Sequence, residues 1–397
     1  MQHSSIQIAT VKNKLYFKNL NAFRFIAATL VILSHIELFK RRVGLQNVWD
    51  TPFFFEAGSA GVDFFFVLSG FLITTLLLKE QKETSTINIG KFYLRRIFRI
   101  WPLYYLVLML CYFVLPYISA FYITGYSEGI YENFWSKFTY SAFFMPNAAL
   151  AFFRDIPYAG PLWSIGVEEQ FYLFWPILVA FFPKKIRMVV VFILICIAIK
   201  VGLVGMRSNF RMDPVIFDKI KDFFVATRME CMGIGGLGAL LYFTKHKIAG
   251  LLKSNLALFV SLALFPFVLI YAKKLFELHH IIMGILFLII ILNAATNDRT
   301  PIKLENRVFF VLGNISYGIY LWHSLCIGFI LNLLRSNDML LEQWGLFNVL
   351  LYVGVFSISI LVSWLSYKYI EAPFLKMKSK FSIITSGTEA AAIKVRP

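Results

Sequence analysis

Apolar runs close to twenty residues long recur along the chain, separated by short stretches rich in lysine and arginine. A run of that length crosses a bilayer core as one helix. Read this way, the chain has spans at 20–39, 59–78, 98–119, 161–182, 187–206, 223–243, 254–272, 278–296, 308–333 and 344–369. The stretch 134–153, "FWSKFTYSAFFMPNAALAFF", is also apolar and long enough, but Pro146 and Asn147 interrupt it. Loop charge separates the two counts. With ten spans and both termini on one side, loops on that side hold 24 lysines and arginines and loops opposite hold 12. If 134–153 crosses, that asymmetry vanishes. The positive-inside rule therefore predicts ten spans, cytoplasmic termini, and an outer, partly immersed or re-entrant 134–153. The expected fold class is all-α, a polytopic membrane protein. Its parts are a cytoplasmic segment 1–19, a membrane domain 20–373 and a disordered cytoplasmic tail 374–397. No cleavable signal peptide is read at the start of the chain, and the tail is too short for a further soluble domain.

Composition agrees. Of 397 residues, 59% are hydrophobic and 15% charged, too little charge to cover a soluble globule of this size. The net charge of +17 is explained by orienting basic loops, so nucleic acid is not expected as a partner. Cys111, Cys196, Cys231 and Cys326 fall singly in apolar runs and read as small buried hydrophobes, with no disulfide or metal framework. "GIGGLG" (233–238) matches a dinucleotide-binding pattern, but it lies inside an apolar helix with no preceding strand. Close helix packing is its expected role.

Against this background, ionisable residues within spans stand out, because burying them in lipid is costly. "NAFRFIAATLVILSH" (21–35) carries Arg24 and His35 eleven residues apart, about 20° of rotation and roughly 16 Å of rise. Both can face one cavity. "SAGVDFFFVLSGFLIT" places Asp63 near the outer entry of the second span and Ser69 near mid-membrane. "GPLWSIGVEEQFYLFWP" brings Trp163, Glu168 and Glu169. "TRMEC" adds Arg228 and Glu230, and "NISYGIYLWHS" adds His323. Two histidines and up to three carboxylates therefore share a depth near the outer side. On the inner side, "KFYLRRIFRIWPLYY" sets Arg96 and Arg99 on one helix face. That pair is either an inner anchor or a phosphate clamp. "SYKYIEAPF" offers Glu371 as a partner for the cluster.

Taken together and in this order, these motifs resemble the membrane-bound acyltransferase family 3, from about residue 20 to residue 373. The resemblance implies transfer of an acyl group, commonly acetyl, from cytosolic acyl-CoA as co-substrate to a sugar hydroxyl or a small molecule. It implies that Arg24 and His35 are essential, with His35 catalytic, that Arg96 and Arg99 hold CoA phosphates, and that Glu168 serves structure or catalysis. Ser69, Trp163, Arg228, Glu230, His323 and Glu371 are the remaining candidates for substrate binding, and Glu168 or Asp63 for orienting the His35 ring. The expected setting is a bacterial inner membrane and the expected acceptor a polysaccharide or lipid-linked sugar. Relatives with a fused extracytoplasmic SGNH-type hydrolase domain complete the transfer there. The sequence read here shows none, which implies direct transfer or a separate partner. His35 as general base and an acyl-histidine intermediate stay open as alternatives. A secondary transporter using His35, Asp63 and Glu168 as a proton relay is the competing class. It leaves the arginines beside Trp101 and Pro102 without a role.

Overall fold

A computed structural model describes residues 14–153, 156–205, 213–275, 278–382 and 384–386. The helices in chain order are α1 (Leu20–Arg42), α2 (Pro52–Thr84), α3 (Ile89–Phe113), α4 (Phe134–Ala142), α5 (Pro146–Phe152), α6 (Leu162–Phe181), α7 (Lys185–Gly205), α8 (Pro214–Ala226), α9 (Met229–Phe243), α10 (Lys247–Leu252), α11 (Asn255–Tyr271), α12 (Leu278–Thr296), α13 (Arg307–Asn314), α14 (Ser316–Arg335), α15 (Asp338–Glu342), α16 (Trp344–Ser366) and α17 (Ala372–Ser379).

Each predicted span coincides with one of these helices or with a pair. Eight continuous or paired helical segments are long and apolar enough to cross a membrane. The two remaining predicted spans fall on helices outside those eight. They are α6, whose two glutamates lower its mean hydropathy, and α11, which at 17 residues is about 26 Å long. The helices begin where capping chemistry allows. Pro52 opens α2, the Asn88 side chain accepts from the Lys91 amide at the start of α3, and Asp213 accepts from the Val215 and Ile216 amides ahead of α8.

Three boundaries differ from the expectation. The sixth span is two helices, broken at residues 227–228 so that Arg228 sits at a joint. The ninth is split at Ile315 into α13 and α14. The stretch 134–153 is two helices of nine and seven residues, each too short to cross. Phe144, between them, has a positive φ that turns the chain.

The expected disordered tail is also partly built. α17 runs into the stretch 374–397, and Thr385–Ser386 (β2) pairs in parallel with Lys14–Leu15 (β1). Residues 1–13 and 387–397 of the two predicted terminal segments lie outside the described residues.

The core is formed around α2. Its contact with α9 is close because small residues face each other. A Cβ on Gly70 would lie 1.9 Å from the Met232 carbonyl oxygen, and one on Gly235 would lie 2.0 Å from the Val67 carbonyl oxygen. The glycine-rich run 233–238 is thus a packing seam.

Candidate active site

α1, α2, α3, α6 and α14 surround a cavity that holds about 810 Å³ of empty space, its open mouth included. Its walls carry Arg24 from α1, Ser69 from α2, Arg96 and Arg99 from α3, Ser164, Glu168 and Tyr172 from α6, and Tyr317 and Tyr320 from α14. A second cavity of about 770 Å³ shares Arg24, Leu72, Ile73, Arg96 and Arg99 with the first. It opens between residues 15–17 and Lys378 of α17. The two form one passage, entered from the end where the terminal segments meet.

The three arginines set its chemistry. Arg24 reaches Asn21 Oδ1 at 3.1 Å, and the Arg96 guanidinium lies 5.9 Å from the Phe92 ring centre and 5.8 Å from that of Tyr172. Arg96 Nε is buried with no hydrogen-bond partner. Among the described residues, no carboxylate lies within ion-pair distance of Arg24, Arg96 or Arg99. The adjacent Arg95 behaves otherwise: it is held by Glu80 at 2.8 Å and donates to the Phe381 carbonyl. Removing three guanidinium groups from bulk water with no carboxylate at ion-pair distance is expensive. A wall of this kind is complementary to an anion, and guanidinium forks suit phosphate oxygens in particular.

Beyond these arginines the wall becomes hydroxylic. Glu168 accepts from Tyr172 Oη at 2.7 Å, and the same hydroxyl touches Ser69 Oγ. Tyr320 and Ser164 share a hydrogen bond of 2.6 Å. His35 and His323 lie next to this end. His35 Nδ1 is 2.7 Å from His323 Nε2, and His323 Nδ1 is 2.5 Å from the Tyr320 carbonyl oxygen. Arg24 lines both cavities, whereas His35 and His323 line neither and meet the first only through Tyr320, whose side chain is in its wall.

The carboxylates distribute differently from expectation. Asp63 does not orient His35. It is held by His280 Nδ1 at 2.7 Å and Arg228 at 3.0 Å, and Arg228 also lies over the Trp163 ring at 5.5 Å. Glu168 bonds Tyr172, not the histidine. Glu230 sits 2.5 Å from Lys200 Nζ on α7, within the helix packing. Glu371 is buried beside Gly318 of α14, outside ion-pair distance of Arg95, Arg96 and Arg99 among the described residues but near enough to Arg99 to be attracted by it. The physical reason is common to the first three. Helical spacing sets the depth and face of a side chain, whereas its partner depends on which distant helix packs there.

Tyr172, Tyr317, Tyr320, Lys200 and His280 were missed from sequence. Tyr172 lies four residues after Glu168 on one helix face, and Lys200 and His280 are ionisable residues inside apolar runs. Those signals were available for three of the five.

A helical membrane domain whose interior cavity is lined by three arginines, with no carboxylate at ion-pair distance among the described residues, defines the class of protein: a polytopic membrane protein with a cationic internal cavity. The particular family follows from comparison. The chain matches the acyltransferase domain, acyltransferase family 3, over residues 17–368, and it belongs to that family. It is 27% identical over 384 residues to a Staphylococcus aureus (strain COL) protein provisionally named as an O-acetyltransferase, covering 92% of this chain and 58% of the relative. It is 25% identical to the peptidoglycan O-acetyltransferase OatA of Listeria monocytogenes, covering 92% and 56%, and 25% identical to the O-acetyltransferase OatA of S. aureus (strain NCTC 8325), covering 91% and 57%. The chain thus spans somewhat over half the length of these relatives. No solved structure matches it.

Proposed function

We propose that the protein is an integral-membrane O-acyltransferase that moves an acetyl group from cytosolic acetyl-CoA to a hydroxyl of a cell-surface polysaccharide or lipid-linked sugar. The observation that carries this reading is the passage itself, lined by three arginines with no carboxylate at ion-pair distance among the described residues and reaching Tyr320, whose carbonyl meets His323 beside His35. Family membership and relatives named as O-acetyltransferases, one of them of peptidoglycan, support the reaction class.

In this reading the passage opens to the cytosol of a bacterium, both termini are cytoplasmic and the membrane is the inner one. Arg24, Arg96 and Arg99 hold the phosphates of acetyl-CoA, whose thioester supplies the acetyl group. Ser69, Tyr172 and Glu168 form the polar wall along which the neutral arm lies. His35 is the general base. It takes the proton of the acceptor hydroxyl as that oxygen bonds to the acyl carbon, the carbon–sulfur bond breaks, and the proton passes to the departing thiolate. An acceptor hydroxyl approaching from the other face fits the outer depth of His35.

Purified protein in bilayers incubated with labelled acetyl-CoA tests the assignment. Saturable binding is expected, together with label transfer to an acceptor glycan that His35→Ala abolishes while binding persists. A folded protein that binds no acetyl-CoA would overturn it.

A further inference from the structure

The contact between His35 and His323 constrains where each ring carries its hydrogen. The two nitrogens are 2.7 Å apart, the ring centres 5.0 Å apart and the planes 25° apart, so the rings meet edge to edge as an N–H···N hydrogen bond requires. One end of the chain of contacts is unambiguous. The Tyr320 carbonyl oxygen can only accept, so His323 Nδ1, 2.5 Å away, bears a hydrogen and donates it. A neutral His323 then has its lone pair on Nε2. The contact to His35 needs a hydrogen between the two nitrogens, and His35 Nδ1–H must supply it. That leaves the lone pair of a neutral His35 on Nε2.

The alternative is a doubly protonated His323. It would bury a cation in a side chain that is 0% exposed, with no carboxylate within ion-pair distance among the described residues. The other groups facing His323 are Ser324 Oγ, a weaker contact at 3.4 Å, and the Tyr320 ring, both from α14 itself. From α1 it faces His35. His35, unlike its partner, keeps partial accessibility.

We infer that His323 is a positioning residue that locks His35 in the Nδ1–H tautomer and presents Nε2 as the proton-accepting atom. The assignment of Nε2 to an acceptor hydroxyl rests on the acyltransferase reading; the tautomer lock does not. His323 occupies the place where a carboxylate was expected, and it holds the ring with a lone pair instead of a negative charge. The chain ends at a carbonyl oxygen, which does not take up a proton at physiological pH. The pair therefore stores a proton at His35 for return to the leaving group and offers no exit through Tyr320, which counts against a transmembrane proton relay by this route.

Magic-angle-spinning NMR of the full chain labelled with [15N]histidine in bilayers reads the tautomer directly, with His35→Ala supplying the assignment. His35 is expected with hydrogen on Nδ1 and a bare Nε2; hydrogen on Nε2 would overturn the proposal. Kinetics give a second arm. His323→Leu keeps volume and removes the acceptor, so kcat should fall about 10²-fold or more with the KM for acetyl-CoA unchanged. His323→Gln restores an acceptor oxygen and should recover kcat to within about tenfold of the parent. Equal loss in both variants, or loss expressed in KM, would count as overturning it. Should His323→Leu fail to fold, the NMR measurement on the unaltered chain decides. An Nδ1–H tautomer in a protein that transfers no acetyl group would refute the enzymatic reading and leave the lock intact.

Discussion

Arg95 and Arg96 are neighbours in the chain and opposites in the structure. Arg95 turns towards α2, where Glu80 neutralises it in a largely buried pair, while Arg96 turns into the cavity with Arg24 and Arg99. The difference separates their mutants. If Arg96 and Arg99 hold the phosphates as proposed, replacing both by alanine should weaken acetyl-CoA binding by about 10²-fold or more. Calorimetry would measure this, and the melting temperature should be maintained. Arg95→Ala strands Glu80 as a buried charge, and should cost about 3–5 kcal/mol of stability. A thermal melt in detergent reads that loss. Equal CoA affinity in the Arg96/Arg99 double variant and the parent would remove the clamp from the mechanism.

At the scale of elements, the α2–α9 seam controls whether the site forms. α2 carries Ser69 on the cavity wall and Asp63 in the pair with Arg228, so a shift of α9 would disturb both. Gly70→Ala and Gly235→Ala each place a methyl against backbone of the facing helix, at 1.9 and 2.0 Å. Backbone cannot rotate away as a side chain can. Each substitution should therefore cost at least about 1–3 kcal/mol and appear as a lowered melting temperature. Gly250→Ala, with nothing within 4 Å of its added methyl, is the control and should leave the melting temperature unchanged or slightly raised. The seam was legible from sequence as a run of small residues in an apolar helix. That it faces Val67 and Gly70 of α2 was not, because small residues announce a close approach without naming what approaches.

For the whole molecule, the pairing of β1 with β2 brings the two terminal segments to one side, as an even number of crossings demands. The two short helices α4 and α5 agree with that count. Tyr131, 60% exposed ahead of α4, offers a site for a labelling test. In a variant without native cysteines, Tyr131→Cys should react with an impermeant thiol reagent on intact cells. Lys245→Cys, in the loop between α9 and α10, should react only after permeabilisation. The reverse pattern would invert the orientation and place the mouth of the passage outside.

The chain by itself determined what depends on local periodicity and on counting charge. That covers the ten apolar runs, the interrupted 134–153, the shared face of Arg24 and His35, and the adjacency of Arg96 and Arg99 on one turn of α3. Bilayer thickness and helical pitch are constants, so these features can be computed from spacing alone. The motifs also pointed to the acyltransferase family, which the match over residues 17–368 established. Only the tertiary structure decided who pairs with whom. Asp63 is taken by His280 and Arg228, 217 and 165 residues away, Arg95 by Glu80, and His35 by His323 across 288 residues of chain. Several helices present a polar group at a similar depth, so spacing leaves many pairings open. Packing selects one, because each buried group needs a partner at hydrogen-bond distance and the bundle brings only certain faces together.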